Sequence, residues 1–231
     1  VKATSKLWTL IDAVLAVSDR TLLYGPPGTG KSYAASKAGL HDGQAVYVCA
    51  LTDDTPAAEL RGHYVPQGGS FVWQDGPAIR AWREGARLVI NEVQRASGDV
   101  LGLLLALLDD SPVAALTLPT GELVRPASGF SCVATMNGKP ADYLDENLRT
   151  RFVVTVEVDE LHPQAVASLP TDLQPAAVAS FQAEPERRVS IRSWLAYANL
   201  RNKLGPESAA QAVFGPSAAD VLASLKLAKT R

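Results

Sequence analysis

At 231 residues the chain can hold one large domain, or a full domain with a small companion, and its 47% apolar content supports a real core. A net charge of −2 offers no bulk attraction to nucleic acid or to anionic membrane. The longest apolar run, 100–108 with Gly102 inside it, is far short of a membrane span, and no signal-peptide pattern opens the chain. Neither nucleic acid nor membrane is therefore an expected partner, and a soluble, cytoplasmic setting is expected. Beginning at Val1 without Met, the chain reads as trimmed. Cys49 and Cys132 each sit in a strand-like apolar run and read as small core hydrophobes. His41, His63 and His162 are scattered beside Gly, Asp or Pro, which suits surface or loop positions. No Cys or His pair has metal-ligand spacing.

In chain order, a short apolar strand at 21–24 leads into Gly25-Pro26-Pro27-Gly28-Thr29-Gly30-Lys31-Ser32, which fits G-x-x-x-x-G-K-[ST]. A glycine-rich turn between strand and helix lets backbone N–H groups close on phosphate oxygens, aided by the helix dipole. Gly25, Pro27, Gly28, Thr29 and Gly30 would form that cradle. Lys31 would reach the β- and γ-phosphates, and the Ser32 hydroxyl would bind Mg²⁺. A helix is expected over 32–38, then a strand over 45–50. The segment 62–73 reads as a hairpin with a Gly68-Gly69 tip. A helix over 77–84 precedes the apolar strand 87–91, which runs into Asn91-Glu92.

ATP hydrolysis needs a carboxylate near the γ-phosphate to orient or deprotonate water, and Glu92 is placed for that. The residue before it is normally Asp, which holds Mg²⁺ through its water shell. Asn91 keeps an oxygen acceptor there but not the charge. A helix is expected over 98–109. Leu101, Leu104, Leu105 and Leu108 follow i, i+3, i+4, i+7 spacing and mark one core face, while Leu103 and Leu107 suggest burial on the other side too. A second hairpin spans 114–125 and turns at 119–121.

The strand 131–135 ends near Asn137, which could hydrogen-bond the attacking water or the γ-phosphate. Arg149 and Arg151 precede the last strand, 152–158, where an Arg could stabilise transition-state charge from a neighbouring subunit. Alternation of strands and helices up to about 158 implies an α/β fold, a doubly wound parallel sheet with its ligand at the strand C-termini. Beyond that point prolines recur and strands stop. Amphipathic helices over 190–203, 207–214 and 217–229 read as a small helical second domain, 159–231. Arg192 sits at the start of one of these, where positive charge is disfavoured, so phosphate contact is a candidate reason.

With these elements in this order, the sequence resembles an AAA+ ATPase. Walker A is GPPGTGKS at 25–32, Walker B is LVINE at 88–92, and sensor 1 is Asn137. The arginine-finger segment is LRTRF at 148–152, and sensor 2 is Arg192. The two hairpins narrow the likeness to the helix-2-insert clade, and NEVQRASGDVLGLLLALLDD with LTLPTGELVRPASGFSCVATMN is similar to MoxR-type and dynein-related AAA ATPases. The resemblance implies a P-loop AAA+ domain over 1–158 and a helical lid over 159–231. It also implies ATP and Mg²⁺ as cofactors, and a homo-oligomeric ring, commonly a hexamer, that remodels or activates a protein client. Many members work with a von Willebrand factor A domain partner. By the resemblance Arg151 matches the finger, with Arg149 in reserve, and Asn91 is the departure from the family pattern. Two other readings remain open here. One is the GTP-driven motor of a methylcytosine-dependent restriction system, loosely matched by the segment 136–142. The other is an assembly module that binds ATP and barely hydrolyses it.

Overall fold

A computed structural model describes residues 5–96, 98–184 and 188–228. The α/β part opens with helix α1 (Lys6–Val17), for which the sequence carried no clear signal, and strand β1 (Arg20–Tyr24). Helix α2 (Lys31–Lys37), strand β2 (Val46–Ala50) and helix α3 (Ala57–Arg61) lead to the hairpin β3 (Gly62–Gln67) and β4 (Ser70–Asp75). Helix α4 (Pro77–Glu84), strand β5 (Arg87–Asn91), a 3-10 turn over Val93–Arg95 and helix α5 (Gly98–Leu107) follow. Next come the small hairpin β6 (Leu116–Thr117) and β7 (Leu123–Val124), strand β8 (Ser131–Met136), helices α6 (Pro140–Tyr143) and α7 (Glu146–Arg151), and strand β9 (Val154–Glu157).

Five strands form one parallel sheet in the order β2-β5-β8-β1-β9. The expected doubly wound architecture is thus present. Burial follows strand position. Every residue of β8 is buried, as are the first four of β5, whereas the edge strands β2 and β9 alternate toward solvent. Helix α4 has Pro at its first position, and its last turn closes on Gly85 in the left-handed region (φ 63°). A Cβ on Gly85 would lie 2.1 Å from Ser128 O, so the backbone approach itself requires glycine. The buried face of α4 is Ala78, Ile79, Ala81 and Trp82, and Trp82 Nε1–H donates to Leu107 O.

Helix α5 is rotated from the expected face. Val100, Leu103, Leu104 and Leu107 are the buried set, while Leu101 and Leu105 are only half-buried. Both sets satisfy the same i, i+3, i+4, i+7 spacing, and a stretch so rich in leucine does not rank them. The helix ends at Leu107, and Leu108 is buried beyond it. Other boundaries move by one or two residues: α2 begins at Lys31, β8 reaches Met136 and β9 begins at Val154. Cys132 is buried in the core, and Cys49, on the edge strand β2, is half-buried and packs against it. His63 lies exposed on β3, His41 is exposed in a loop, and His162 caps the first helix after the sheet.

The chain divides into two compact units. The larger is Thr9–Gly25 with Lys31–Val158; the smaller takes Pro26–Gly30 and the chain from Asp159, together with the residues up to Trp8. The smaller unit contains helices α8 (Pro163–Ala167), α9 (Gln174–Phe181), α10 (Ile191–Leu204), α11 (Pro206–Phe214) and α12 (Ala218–Ala228). The expected end of the last helix at Lys229 lies outside the described residues. Its core includes Leu173, Phe181, Trp194, Tyr197 and Ala209. Trp194 Nε1–H donates to Ser180 Oγ at 2.9 Å, and Arg201 makes a bidentate pair with Asp172. Among the described residues no helix is long and apolar enough to cross a membrane.

Candidate functional site

The chemistry-bearing residues of the larger unit collect at the C-terminal ends of β1, β5 and β8. Parallel pairing sets this: Leu23 lies opposite Thr135, Thr135 opposite Asn91, and Asn91 opposite Ala50. Leaving β1, the chain passes through Gly25, Gly28 and Gly30, all in backbone conformations that L side chains rarely adopt (φ 134°, 80° and 108°). A Cβ on Gly25 would sit 2.6 Å from Val158 O. These glycines shape the loop before Lys31 starts α2, as the motif requires.

Lys31 is 7% exposed. Its Nζ donates to Gly25 O at 2.9 Å and to Asn137 Oδ1 at 3.3 Å. Burial lowers its ammonium to about 8, and the negative charge of Glu92 opposes that shift. Asn137 lies just beyond β8 and turns its amide nitrogen to Glu92, at 3.0 Å from Oε1 and 3.3 Å from Oε2. Lys31, Asn137 and Glu92 thus form one hydrogen-bonded chain. Glu92 leaves β5 in the left-handed region (φ 59°, ψ 42°), the one described non-glycine residue there. Such a conformation costs about 1–2 kcal/mol, so the surrounding contacts must hold it.

Two residues missed by the sequence reading complete the cluster. Gln94 Nε2–H donates to Glu92 Oε2 at 2.7 Å. Thr135 Oγ–H donates to Asn91 Oδ1 at 2.8 Å. Strand register would have found Thr135, since it lies directly opposite Asn91. Gln94 carries no periodic signal and becomes visible only once the backbone at Glu92 is known.

The donors available to a metal are few. Ser32 is exposed on the first turn of α2, while the Asn91 carbonyl is neutral and already accepts from Thr135. Among the described residues no group of three His, Cys, Asp or Glu side chains could hold an ion. A hydroxyl and an amide oxygen suit Mg²⁺ that keeps its waters and leans on phosphate oxygens, and they do not suit a metal held by protein alone.

Arg149 and Arg151 lie on α7, and each has a carboxylate partner. Arg151 ends α7, half-exposed, 3.5 Å from Asp109 Oδ1. It lines a cavity of about 180 Å³ with Leu108, Asp110, Asn147, Thr150 and Val153. Arg149 pairs loosely with Glu146 at 4.0 Å. Arg192 is exposed in the first turn of α10, in the smaller unit, where Ser190 caps the helix by accepting from Ser193 N–H.

These features define a P-loop nucleotide site on a parallel α/β sheet. Comparison with known proteins agrees: residues 20–152 match the family described as the AAA domain, dynein-related subfamily. The chain belongs to that family, and so to the MoxR-type and dynein-related AAA+ ATPases. It is 39% identical over 128 residues to Protein NorQ of Paracoccus denitrificans, covering 55% of this chain and 47% of that protein. It is 30% identical over 160 residues to midasin of Giardia intestinalis, covering 66% of this chain and 3% of that protein. The chain thus spans about half the length of NorQ and a small part of midasin. In fold it is similar to NtrX from Brucella abortus in complex with ADP, with a TM-score of 0.60 at 18% identity over 90% of this chain and 53% of that one.

Proposed function

We propose that this chain is a Mg²⁺-dependent ATPase that acts as a homo-oligomeric ring and couples ATP binding and hydrolysis to remodelling or activation of a protein client. One observation carries this reading: Lys31, Asn137 and Glu92 are hydrogen-bonded in series at the C-terminal ends of the central strands, where the chain leaves β1 at Gly25. The backbone from Gly25 through Gly30 would hold the phosphates of ATP, with Pro27 and Thr29 in that loop. Lys31 would exchange its hydrogen bond to Asn137 for one to a phosphate oxygen, which adds negative charge beside its buried cation. Glu92 would take a proton from the attacking water, and Asn137 would keep that carboxylate aimed. Mg²⁺ held by Ser32, and through water by Asn91, would neutralise charge on the phosphates.

Family likeness supports the rest. Arg151, with Arg149 in reserve, would supply positive charge to a neighbouring subunit's phosphate, and the ring would commonly be a hexamer. The helices after Asp159 would serve as a lid that brings Arg192 to the nucleotide. The two hairpins would meet the client, for which a von Willebrand factor A domain partner is the family precedent. The test is phosphate release at ring-forming concentration. Hydrolysis should be slow but measurable, and lost in Lys31→Ala and in Arg151→Ala. Normal turnover by the Arg151→Ala protein alone would refute the finger assignment.

A second reading has an observation of its own. Asn91 lacks the charge that ordinarily holds the metal's water shell, and its oxygen is engaged by Thr135. On that reading the chain is an assembly module gated by ATP binding, with little turnover. Parent activity equal to that of a Glu92→Gln control would favour it over the motor.

A further inference from the structure

We propose that Gln94 orients the attacking water, with its amide nitrogen fixing Glu92 and its amide oxygen taking the water's second proton. The proposal rests on the reading of Glu92 as the base. It starts from the backbone. Because Glu92 is left-handed and the 3-10 turn over Val93–Arg95 follows, the chain folds back and returns the side chain of residue 94 to that of residue 92. The resulting contact, Nε2–H to Glu92 Oε2, is 2.7 Å. Exchanging oxygen and nitrogen in the Gln94 amide would set two acceptors at that distance, so the amide has one sensible orientation.

In that orientation Gln94 Oε1 is buried and, among the described residues, has no hydrogen-bond donor. A buried carbonyl without a donor is costly, and such groups in native proteins call for a reason. Here the reason is a donor that arrives with the substrate. A carboxylate offers about four lone-pair sites. Asn137 makes two contacts to Glu92 and Gln94 makes one, which leaves about one site. Water bound there can give one proton to Glu92 and the other to Gln94 Oε1. Its lone pair is then left for the γ-phosphorus. In the step itself the water oxygen bonds to that phosphorus, and the bond to the β,γ-bridging oxygen breaks, its electron pair leaving with ADP. Glu92 receives one water proton, and the proton held by Gln94 stays on the phosphate product. A glutamine that accepts from the water while a carboxylate takes the proton divides orientation from basicity.

The test compares Gln94→Met, Gln94→Asn, Glu92→Gln and the Gln94→Met/Glu92→Gln pair, in the parent and in an Asn91→Asp background that restores the metal-side charge. Gln94→Met keeps the length of the side chain and removes both polar atoms. It should lower kcat about 10- to 100-fold with KM for ATP within about twofold. Gln94→Asn should recover part of that loss, and the pair should be no slower than Glu92→Gln alone. Gln94→Met turning over at the parent rate while Glu92→Gln is inactive would overturn the role of Gln94 and leave Glu92 as base. A loss confined to KM, or a rise in kcat, would overturn it equally. Full activity of Glu92→Gln, or no hydrolysis in either background, would overturn the base assignment and this proposal with it.

Discussion

At the residue scale, the buried lysine has a measurable consequence. Burial brings the Lys31 ammonium down to about 8, so the free protein loses this proton as pH rises through that value. Phosphate beside Lys31 favours the charged form. Binding ATP at pH 8.5 should therefore take up protons, whereas at pH 7 the lysine is already charged and uptake should be small. Affinity should weaken as pH climbs above about 8, because the lysine must first be protonated. Calorimetry in buffers of different ionisation heat reads the uptake directly, and equal uptake at both pH values would contradict the assignment. Asn91 gives a second prediction. Asn91→Asp adds a charge at the residue proposed to hold the metal's water shell and should raise turnover and lower the Mg²⁺ needed for half-maximal rate, read by phosphate release across a magnesium titration. Residues with a motif could be named from the sequence, and the structure joins three of them, Lys31, Asn137 and Glu92, by hydrogen bonds. Gln94 could not be named, because its importance depends on a backbone conformation, and neither composition nor periodicity encodes φ at Glu92.

At the scale of elements, the central strands were legible because their apolar runs are bounded by turns, and the reach of each strand was right to within a residue or two. Helix α5 was legible as a helix but not in its rotation, since leucine on every side erases the amphipathic signal. Arg87 was read only as the start of a strand. It is in fact 1% exposed, and its guanidinium donates to Leu15 O at 2.8 Å, Gly39 O at 3.0 Å and Ala38 O, closing the C-terminal ends of α1 and α2 against β5. No carboxylate is among those partners, and burial lowers its pKa. Arg87→Met would leave several helix-end carbonyls without donors and should cost about 3–5 kcal/mol, seen as a lower urea midpoint. A change below about 1 kcal/mol would mean that water satisfies those carbonyls. Arg83 links the two hairpins in a comparable way, pairing with Asp75 at the end of β4 and, bidentately, with Glu122 in the turn between β6 and β7. The ends of this network are partly exposed, so its worth to stability is small, and its geometric effect is to tie the base of one hairpin to the tip of the other.

At the scale of the whole molecule, the larger unit holds the Lys31–Asn137–Glu92 chain, and Arg151 on α7 has Asp109 as its counter-charge. A finger used by a neighbour has a signature that a single subunit cannot produce. Glu92→Gln and Arg151→Ala should each be inactive alone. Mixed in equal amounts they should regain part of the parent rate, because some interfaces then pair an intact Glu92 with an intact Arg151. The composition change near residue 158 was legible because prolines replace strand patterns there. Helices α8 and α9 were not, since they are short and rich in alanine and carry little amphipathic contrast. The most direct test of the central claim is ATP binding and phosphate release measured side by side on the parent and Glu92→Gln at ring-forming concentration. The account predicts that both bind ATP with similar affinity and that only the parent releases phosphate. Equal release by the two proteins would contradict it.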